Sequence, residues 1–400
     1  MTALEGIIRN HIARQGPLTF RDFMALALYD PTHGYYTTTS NRIGRAGDFY
    51  TSSSISNHFG KLLARQIQAI WCALGTPVEF TVVECGAGTG ALAADILAEL
   101  RDKDPKLFCH LRYVIDECSP AMRAAQAARL TEFLGHVTWQ RLEKLSKTPI
   151  TGLIFSNELV DALPVHLLTR RQGQYFEGLV SVERGRLQLT WGAPTRYQDF
   201  VSYLAIGEIE LTEGNQCEVA LDALDWLAKA AAALGRGYLI TIDYGDLGPY
   251  MSGRPSGTVR GFTRHHLVEN LLDNPGQQDL TADVNFSALI RYGASQGLQY
   301  LQLTRQADYL IQLGLLDLLN AATSLEESRE ALRERLALKH FLVPGGLGDR
   351  FKVLVQAKGS NLPDKLPVPP SAFTSLLKAR VVGDESPGFG FHRQGCEPNS

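Results

Sequence analysis

Phe80-Thr-Val-Val-Glu84-Cys-Gly86-Ala-Gly88-Thr-Gly90-Ala91 decides the fold. Phe80 to Glu84 is a short apolar run with β-branched residues and predicts a buried strand, while Leu92, Ile96, Leu97 and Leu100 recur at helical spacing. Between them Gly86, Gly88 and Gly90 allow backbone conformations that a side chain forbids, so N–H groups at the start of a helix can approach a ligand closely. Strand, glycine turn and helix in that order predict a nucleotide-like ligand. The letters alone fit two cofactors, because Ala91 also completes G-x-G-x-x-G/A, the dinucleotide fingerprint. Glycines used only for tight strand-to-helix packing are the plainer reading of the same letters. Glu84 shifts the balance toward S-adenosylmethionine (SAM): a carboxylate at the strand end repels a pyrophosphate and attracts a ligand carrying ammonium and sulfonium charges.

Outward from this turn, strands and helices alternate. Tyr113-Val-Ile-Asp116-Glu117 predicts a second strand, Met122 to Phe133 a helix, and Leu153-Ile-Phe155 and Tyr238-Leu-Ile-Thr-Ile-Asp243 two more buried strands. The pattern is α/β with a parallel sheet. Glu117, ending the second strand, stands where an acid accepts both hydroxyls of a ribose, a feature shared by SAM and NAD enzymes. Upstream, Thr2 to Tyr29 reads as a helical pair broken at Gly16-Pro17, Pro31 to Ser56 as a long loop, and His58 to Leu74 as a helix. Downstream, Val165 to Trp191 reads as paired strands with turns at Gln172-Gly173 and Arg184-Gly185. Tyr309 to Leu338 is helical in pattern, and Phe351 to Gln356 looks like a strand returning to the sheet. The expected organisation is an N-terminal helical segment with a cofactor-covering loop (1–75), a cofactor-binding core (76–248) with an antiparallel excursion near 165–192, a substrate or lid insert with returning strands (249–358), and a mostly disordered tail (359–400).

Composition narrows the function. Of 400 residues, 44% are hydrophobic and 20% charged, as in ordinary globular chains, and a formal net charge of -3 gives no field to hold a nucleic acid. Six cysteines show no C-x-x-C pair and read as reduced core fillers. Met1 to Arg14 lacks an apolar leader core, which sets the expectation of a cytoplasmic protein, and no apolar run is long enough to span a bilayer. His265-His266 has no third ligand at useful spacing, so no metal is expected. Gly293-Ala-Ser295-Gln-Gly297 has the letters of a hydrolase nucleophile elbow, but a helix-like segment precedes it and a strand-like one follows, the reverse of the elbow's order.

Together these stretches resemble the MidA family of SAM-dependent methyltransferases, which includes the mitochondrial complex I assembly factor that methylates arginine. The matching residues run along nearly the whole folded chain: Gly34-Tyr-Tyr36, Gly47-Asp48-Phe49 with Thr51-Ser52, the Glu84 to Gly90 turn, Glu117-Cys-Ser119-Pro120 with Gln126, Asn157-Glu158-Leu159 with Asp161-Ala-Leu-Pro164, Asp243-Tyr244-Gly245, Gly257-Thr258 with His265, Asp279-Leu-Thr281-Ala282, and Phe351-Lys-Val-Leu354. The chain departs from the family where Ala87 and Thr89 replace Pro and Arg, where Ser53 replaces Pro, and where Asp283 and Asn285 stand in place of His and Asp.

The resemblance implies a Rossmann-like class I methyltransferase core, SAM as cofactor and an arginine on a partner protein as acceptor, with a respiratory complex I subunit as one candidate. A homodimer is a further expectation. Methyl transfer from a sulfonium is an in-line displacement that needs alignment and exclusion of water more than a nucleophile. A guanidinium acceptor requires carboxylates to hold it and to stabilise charge as its proton leaves. Glu158 and Asp161 follow a strand end, where open α/β sheets keep their ligands, and are the catalytic candidates. Asp161 as the cap of a helix beginning near Ala162 is the plainer alternative.

For the cofactor the candidates are Gly47, Asp48 and Thr51 as a lid, Glu84, Gly86, Gly88 and Gly90 in the turn, and Glu117, Ser119 and Asn157. Asp243, Tyr244, His265, Asp279 and Thr281 are candidates for the acceptor channel. Two other readings stay open: an NAD-dependent oxidoreductase, from the dinucleotide letters, and a catalytically silent SAM-binding assembly factor, from Asp283 and Asn285.

Overall fold

A computed structural model describes residues 2–38, 57–263, 266–323, 336, 338–339, 341–343 and 346–370. Gly47, Asp48, Thr51 and His265, and with them most of the expected lid, lie outside the described residues, as do 371–400.

Seven strands form the continuous path of an eight-stranded main sheet: β1 (Phe80–Cys85), β2 (Leu111–Asp116), β3 (Val137–Trp139), β4 (Ile150–Asn157), β5 (Leu234–Asp246), β6 (Gln299–Arg305) and β7 (Phe351–Lys358), in the spatial order β6-β7-β5-β4-β1-β2-β3, with Val284–Asn285 pairing parallel to the end of β5 as the eighth. β1 to β5 run parallel, and β7 inserts antiparallel between β5 and β6. The chain leaves β1 toward β2 on one side and β4 toward β5 on the other, so the carboxyl ends of the adjacent strands β1 and β4 flank the point where strand order reverses, the usual crevice for a ligand.

Alternation along the central strands assigns each side chain to a face. Val82, Leu153, Phe155, Ile240 and Val353 pack against helices His58–Ala73 and Ala91–Lys103, whereas Val83, Ile154, Leu239 and Leu354 pack against Leu221–Ala233 and Phe286–Ser295. Because both faces are covered, β1 and β4 read as near-continuous apolar runs rather than alternating ones.

The first two helices, Ala3–Gln15 and Phe20–Tyr29, belong to a different core. Leu4, Ile8, Phe20, Phe23 and Met24 pack with Val165, Leu167, Val180 and Leu187 of a second, antiparallel sheet built from Leu18–Thr19, His166–Arg171, Gln174–Glu183, Arg186–Gly192 and Gln216–Val219. Its turns put Gln172, Gly173, Arg184 and Gly185 at positive φ. A third, three-stranded sheet joins Arg260–Thr263 to His266–Leu267 and Asp279–Thr281, and the same core reaches it through Leu280 and Ala282.

Several expectations are corrected. Of the five described cysteines only Cys85 and Cys217 are buried, while Cys72, Cys109 and Cys118 are exposed and fill no core. The tail is anchored at its start: Leu366 is buried and Gln66 Nε2 donates to the Pro367 carbonyl at 2.6 Å. Asp161 caps no helix. It sits inside the 3-10 turn Val160–Ala162, which ends at once because Leu163 precedes Pro164 and is driven to extended backbone at ψ 138°. Over the described residues to Thr323, the helical pattern from Tyr309 falls into Gln306–Gln312 and Leu315–Thr323, parted at Gly314, whose φ is +93°. β3 is an element that periodicity did not reveal.

Candidate functional site

The glycine turn is shaped for close backbone approach. Gly86, Gly88 and Gly90 take φ of +71°, +51° and +76°, which L side chains rarely adopt. A Cβ at Gly86 would stand 2.8 Å from Leu159 Cδ1, so the turn also packs directly on the loop after β4. Gly90 caps the helix Ala91–Lys103 without a side-chain bond, which leaves its first-turn N–H groups for a ligand.

Gln126, fully buried, ties this turn to the end of β2: its Nε2 donates to Gly88 O at 2.8 Å and to Glu117 Oε2 at 3.2 Å, and its Oε1 accepts from Trp139 Nε1 at 2.8 Å. Glu117 Oε1 accepts the Ser119 N–H at 2.8 Å, and Ser119 Oγ caps the helix Pro120–Arg129 by accepting from Met122 N. The carboxylate is therefore fixed in one orientation before any ligand arrives. Within β1, Glu84 accepts a 2.6 Å hydrogen bond from Tyr113 OH. Burial pushes its carboxyl up to about 7, opposed by the Tyr113 bond and assisted by the charge of Glu117.

A second group of acids gathers on the other side of Leu159. Asn157 Nδ2 donates to Glu158 Oε1 at 3.0 Å, and Glu158 holds the strained φ of +55° while its N–H donates to Ile242 O. Asp243, fully buried on β5, accepts from Val160 N and Asp161 N through Oδ2 at 2.8 and 3.3 Å and from Tyr244 N through Oδ1 at 2.9 Å. Its carboxyl is pushed up to about 7 by burial, against these backbone bonds. Asp161 is held well above the usual carboxylate range, first by burial and then by the charges of Asp243, Asp279 and Glu158, with Arg260 the opposing cation. Tyr244 stacks on Phe351 with ring centroids 3.8 Å apart. Its phenol is raised by burial and by Glu158, Asp161 and Asp243.

Asp279 and Thr281, both buried, reach the same place from the inserted sheet, and Ala282 N donates to Asp161 O at 2.9 Å. The structure thus brings Glu84, Glu117, Ser119 and the three glycines together on one side, and Glu158, Asp161, Asp243 and Asp279 on the other. The Asp243 carboxylate thereby holds the backbone of the neighbouring loop.

Sequence reasoning did not single out Tyr29, Tyr36 or Arg260. Tyr36 OH donates to Asp279 Oδ1 at 2.7 Å, Tyr29 OH donates to Ala162 O at 3.0 Å, and Arg260 pairs with Asp283. Only the Gly34-Tyr-Tyr36 letters signalled any of them. The two family departures have local partners. Asp283 pairs with both Arg254 and Arg260; Asn285 caps the helix Phe286–Ser295 through its oxygen and donates its amide N–H to Gly207 O at 2.9 Å, a bond an aspartate carboxylate would not make. Among the described residues no group of three or more His, Cys, Asp or Glu is arranged to hold a metal, and no helix is long and apolar enough to cross a membrane.

An open α/β sheet with a glycine turn and an acid after the next strand, both at the reversal of strand order, defines an enzyme that binds an adenosyl cofactor. The sequence profile of a family of S-adenosyl-L-methionine-dependent methyltransferases matches residues 62–304, and the chain belongs to that family.

Its relatives include the mitochondrial protein arginine methyltransferase NDUFAF7 of Xenopus tropicalis, 28% identical over 92% of this chain and 88% of the relative, and its Drosophila melanogaster homologue, 30% identical over 88% and 84%. A candidate methyl transferase from Burkholderia thailandensis, solved with S-adenosyl-homocysteine bound, superposes with a TM-score of 0.80 at 28% identity, over 91% of this chain and 94% of that one. The protein is a SAM-dependent methyltransferase, and the dinucleotide reading of the turn is set aside. The fixed Glu117 carboxylate, the uncapped helix start and the positive-φ glycines suit such a cofactor.

Proposed function

We propose that this enzyme transfers a methyl group from SAM to an arginine side chain of a partner protein, on a Rossmann-like class I core. The strand order β6-β7-β5-β4-β1-β2-β3, with its one antiparallel strand second from an edge, supports the fold assignment. The observation that carries the acceptor is Asp161: a buried carboxylate, 5% exposed, within the field of Glu158, Asp243 and Asp279 and opposed by one arginine. Such a cluster of buried acids beside the cofactor turn suits a cationic side chain, because a guanidinium favours their charged forms and offsets both the burial and the repulsion. The relatives named as arginine methyltransferases support the same acceptor.

SAM, when bound, supplies a methyl on a sulfonium. Glu117, with its orientation fixed by Ser119 and Gln126, receives the ribose hydroxyls; Glu84 favours the cationic end of the cofactor by charge; Ser119 and Asn157 complete that wall. Asp161 and Glu158 would hold the acceptor guanidinium, orient one nitrogen for attack and take the proton it sheds as the methyl passes from sulfur to nitrogen and S-adenosylhomocysteine leaves. Asp243 fixes the loop that carries both acids, and Tyr244 and Thr281 border the pocket.

The test is transfer of a deuterated methyl from SAM to proteins of the source cell, with the labelled residue located by mass spectrometry. Label on arginine that disappears in Asp161→Asn, with SAM affinity retained, supports the proposal. Label on lysine, on a carboxylate or on a small molecule overturns the acceptor. A complex I subunit, which the resemblance puts forward, is the first partner to inspect. The departures that suggested a silent assembly factor have local structural partners, so no observation here favours that second reading.

A further inference from the structure

We infer that Tyr36 and Tyr29 are positioning residues that set how the carboxylates of Asp279 and Asp161 stand relative to each other, and so tune the affinity of the acid pocket for a cationic side chain. This rests on the arginine-acceptor reading above.

Three stretches far apart in sequence meet here: the N-terminal segment, the turn after β4 and the inserted strand Asp279–Thr281. Nothing covalent near the pocket fixes the distance between Asp161 and Asp279. Among the described residues, three hydrogen bonds contribute to fixing it. Tyr36 OH donates to Asp279 Oδ1 at 2.7 Å; Tyr29 OH donates at 3.0 Å to the carbonyl of Ala162, the residue after Asp161; Ala282 N donates to Asp161 O at 2.9 Å. The tyrosines are themselves locked together. Their rings stack with centroids 5.7 Å apart at 29°, and Tyr35, only 2% exposed, meets Tyr36 edge-on at 5.1 Å.

Any buried hydroxyl needs a partner, so the information lies in which partners these two have. One hydroxyl holds a carboxylate oxygen and the other the backbone beside the second carboxylate. A phenol bonded to a carboxylate favours the charged form and fixes which oxygen it occupies. Burial and the neighbouring acids hold both phenols well above their ordinary value, so they remain donors. Among the described residues, the titratable and charged groups around the two carboxylates and their tyrosines include Tyr29 and Tyr36 from the N-terminal segment, Glu117 and Cys118 after β2, Glu158 beside Asp161, Asp243 and Tyr244 from β5, and Arg260 from the insert.

The experiment titrates N-acetyl-L-arginine amide by calorimetry, at several pH values, into the full chain saturated with S-adenosylhomocysteine. For Tyr36→Phe the expected result is unchanged S-adenosylhomocysteine affinity, about tenfold weaker binding of the arginine probe, and an acidic limb of probe binding displaced upward by about one pH unit, because Asp279 loses the donor to its charged form. Tyr29→Phe, which loses a bond to a carbonyl, is expected to weaken the probe about threefold with no displacement of the limb. A merely structural role would lower stability and S-adenosylhomocysteine affinity together and leave the limb in place, which overturns the inference. So does a Tyr36→Phe protein that binds the probe like the parent. Should the parent itself bind S-adenosylhomocysteine and not the probe, the arginine reading fails and takes this inference with it.

Discussion

Asp243 Oδ2 accepts the backbone N–H of Val160 at 2.8 Å, so a carboxylate on β5 fixes the turn that follows β4. The same side chain also receives Asp161 N and Tyr244 N. Asp243→Ala leaves three buried backbone donors without this acceptor, at a cost of about 1–3 kcal/mol for each group left unsatisfied, offset in part by removal of a buried acid. The net expectation is a loss of about 3 kcal/mol of stability, with methyl transfer abolished and SAM affinity nearly kept, because the turn at Gly86 to Gly90 is held by other bonds. Urea unfolding and SAM titration check it. A variant as stable as the parent would show that the turn holds its own shape.

Gly86→Ala tests the contact between the glycine turn and the acid loop. The new Cβ meets Leu159 Cδ1 at 2.8 Å on a backbone at φ +71°. Left-handed backbone costs a non-glycine residue about 1–2 kcal/mol, and relief of the clash moves Leu159, which leads into Val160 and Asp161. SAM affinity is expected to fall about tenfold or more, as that much strain implies, and methyl transfer with it. Calorimetric titration that finds unchanged SAM affinity would contradict the cradle.

How much of this was legible in the sequence depends on how far apart the partners are. The strand-turn-helix at Phe80 to Leu100 needs only neighbours: apolar runs, glycines and helical spacing within one stretch. The carboxyl-end positions of Glu117 and Asn157 to Asp161 follow once the strands are read. The bonds of Asp243 were not legible because its partners, Val160 and Asp161, lie some eighty positions upstream, and nothing in Asp-Tyr-Gly announces a bond to them. Tyr36 and Asp279 are farther apart still. β3 escaped because three residues, one of them exposed, carry no period.

Stability and binding should respond to pH in opposite directions. Glu84 titrates near 7 in the folded protein, above its unfolded value of 4.5, so the native state binds more protons between these values. The sign follows: stability of the cofactor-free protein falls as pH rises from about 4.5 to 7 and levels off above, with Glu84 accounting for about 3 kcal/mol. Asp243, also raised to about 7, and Asp161 act in the same direction. A cationic ligand favours the ionised acids, so SAM binding strengthens over the same range and releases protons. Calorimetry in two buffers of different ionisation enthalpy reads that release directly. Glu84→Gln should flatten the stability slope and weaken SAM, and a slope unchanged in that variant would assign the proton elsewhere.

Glu117→Ala removes a carboxylate whose two oxygens already accept from Ser119 N and Gln126 Nε2. With it go the acid proposed to receive the ribose hydroxyls and the tie between the end of β2 and Gly88 by way of Gln126. A charged acceptor for two hydroxyls contributes on the order of 1.5–3 kcal/mol, so SAM affinity is expected to fall about tenfold to a hundredfold, with the acid pocket around Asp161 untouched. Glu117→Gln should be nearly as harmful: its amide would set N–H groups against the donors of Ser119 or Gln126. Equal SAM affinity in Glu117→Gln and parent would mean that charge at this position is unnecessary.

Asp283→His restores the residue expected from the family pattern and asks whether the departure bears on catalysis. Asp283 pairs with Arg254 and Arg260, whose side chains are 42% and 39% exposed. Each pair joins a half-exposed arginine to Asp283 and contributes about 0–1 kcal/mol, so stability should fall by no more than about 2 kcal/mol. The more telling consequence is for Arg260, which opposes the buried acids at Asp161. Released from Asp283, its guanidinium is free to turn toward that pocket and compete with an incoming arginine. KM for the acceptor should then rise severalfold while SAM affinity holds, measured on the methylated partner once the labelling experiment has found it. A fall in KM would mean that Asp283 obstructs the pocket and that the chain is a weakened relative of a better enzyme.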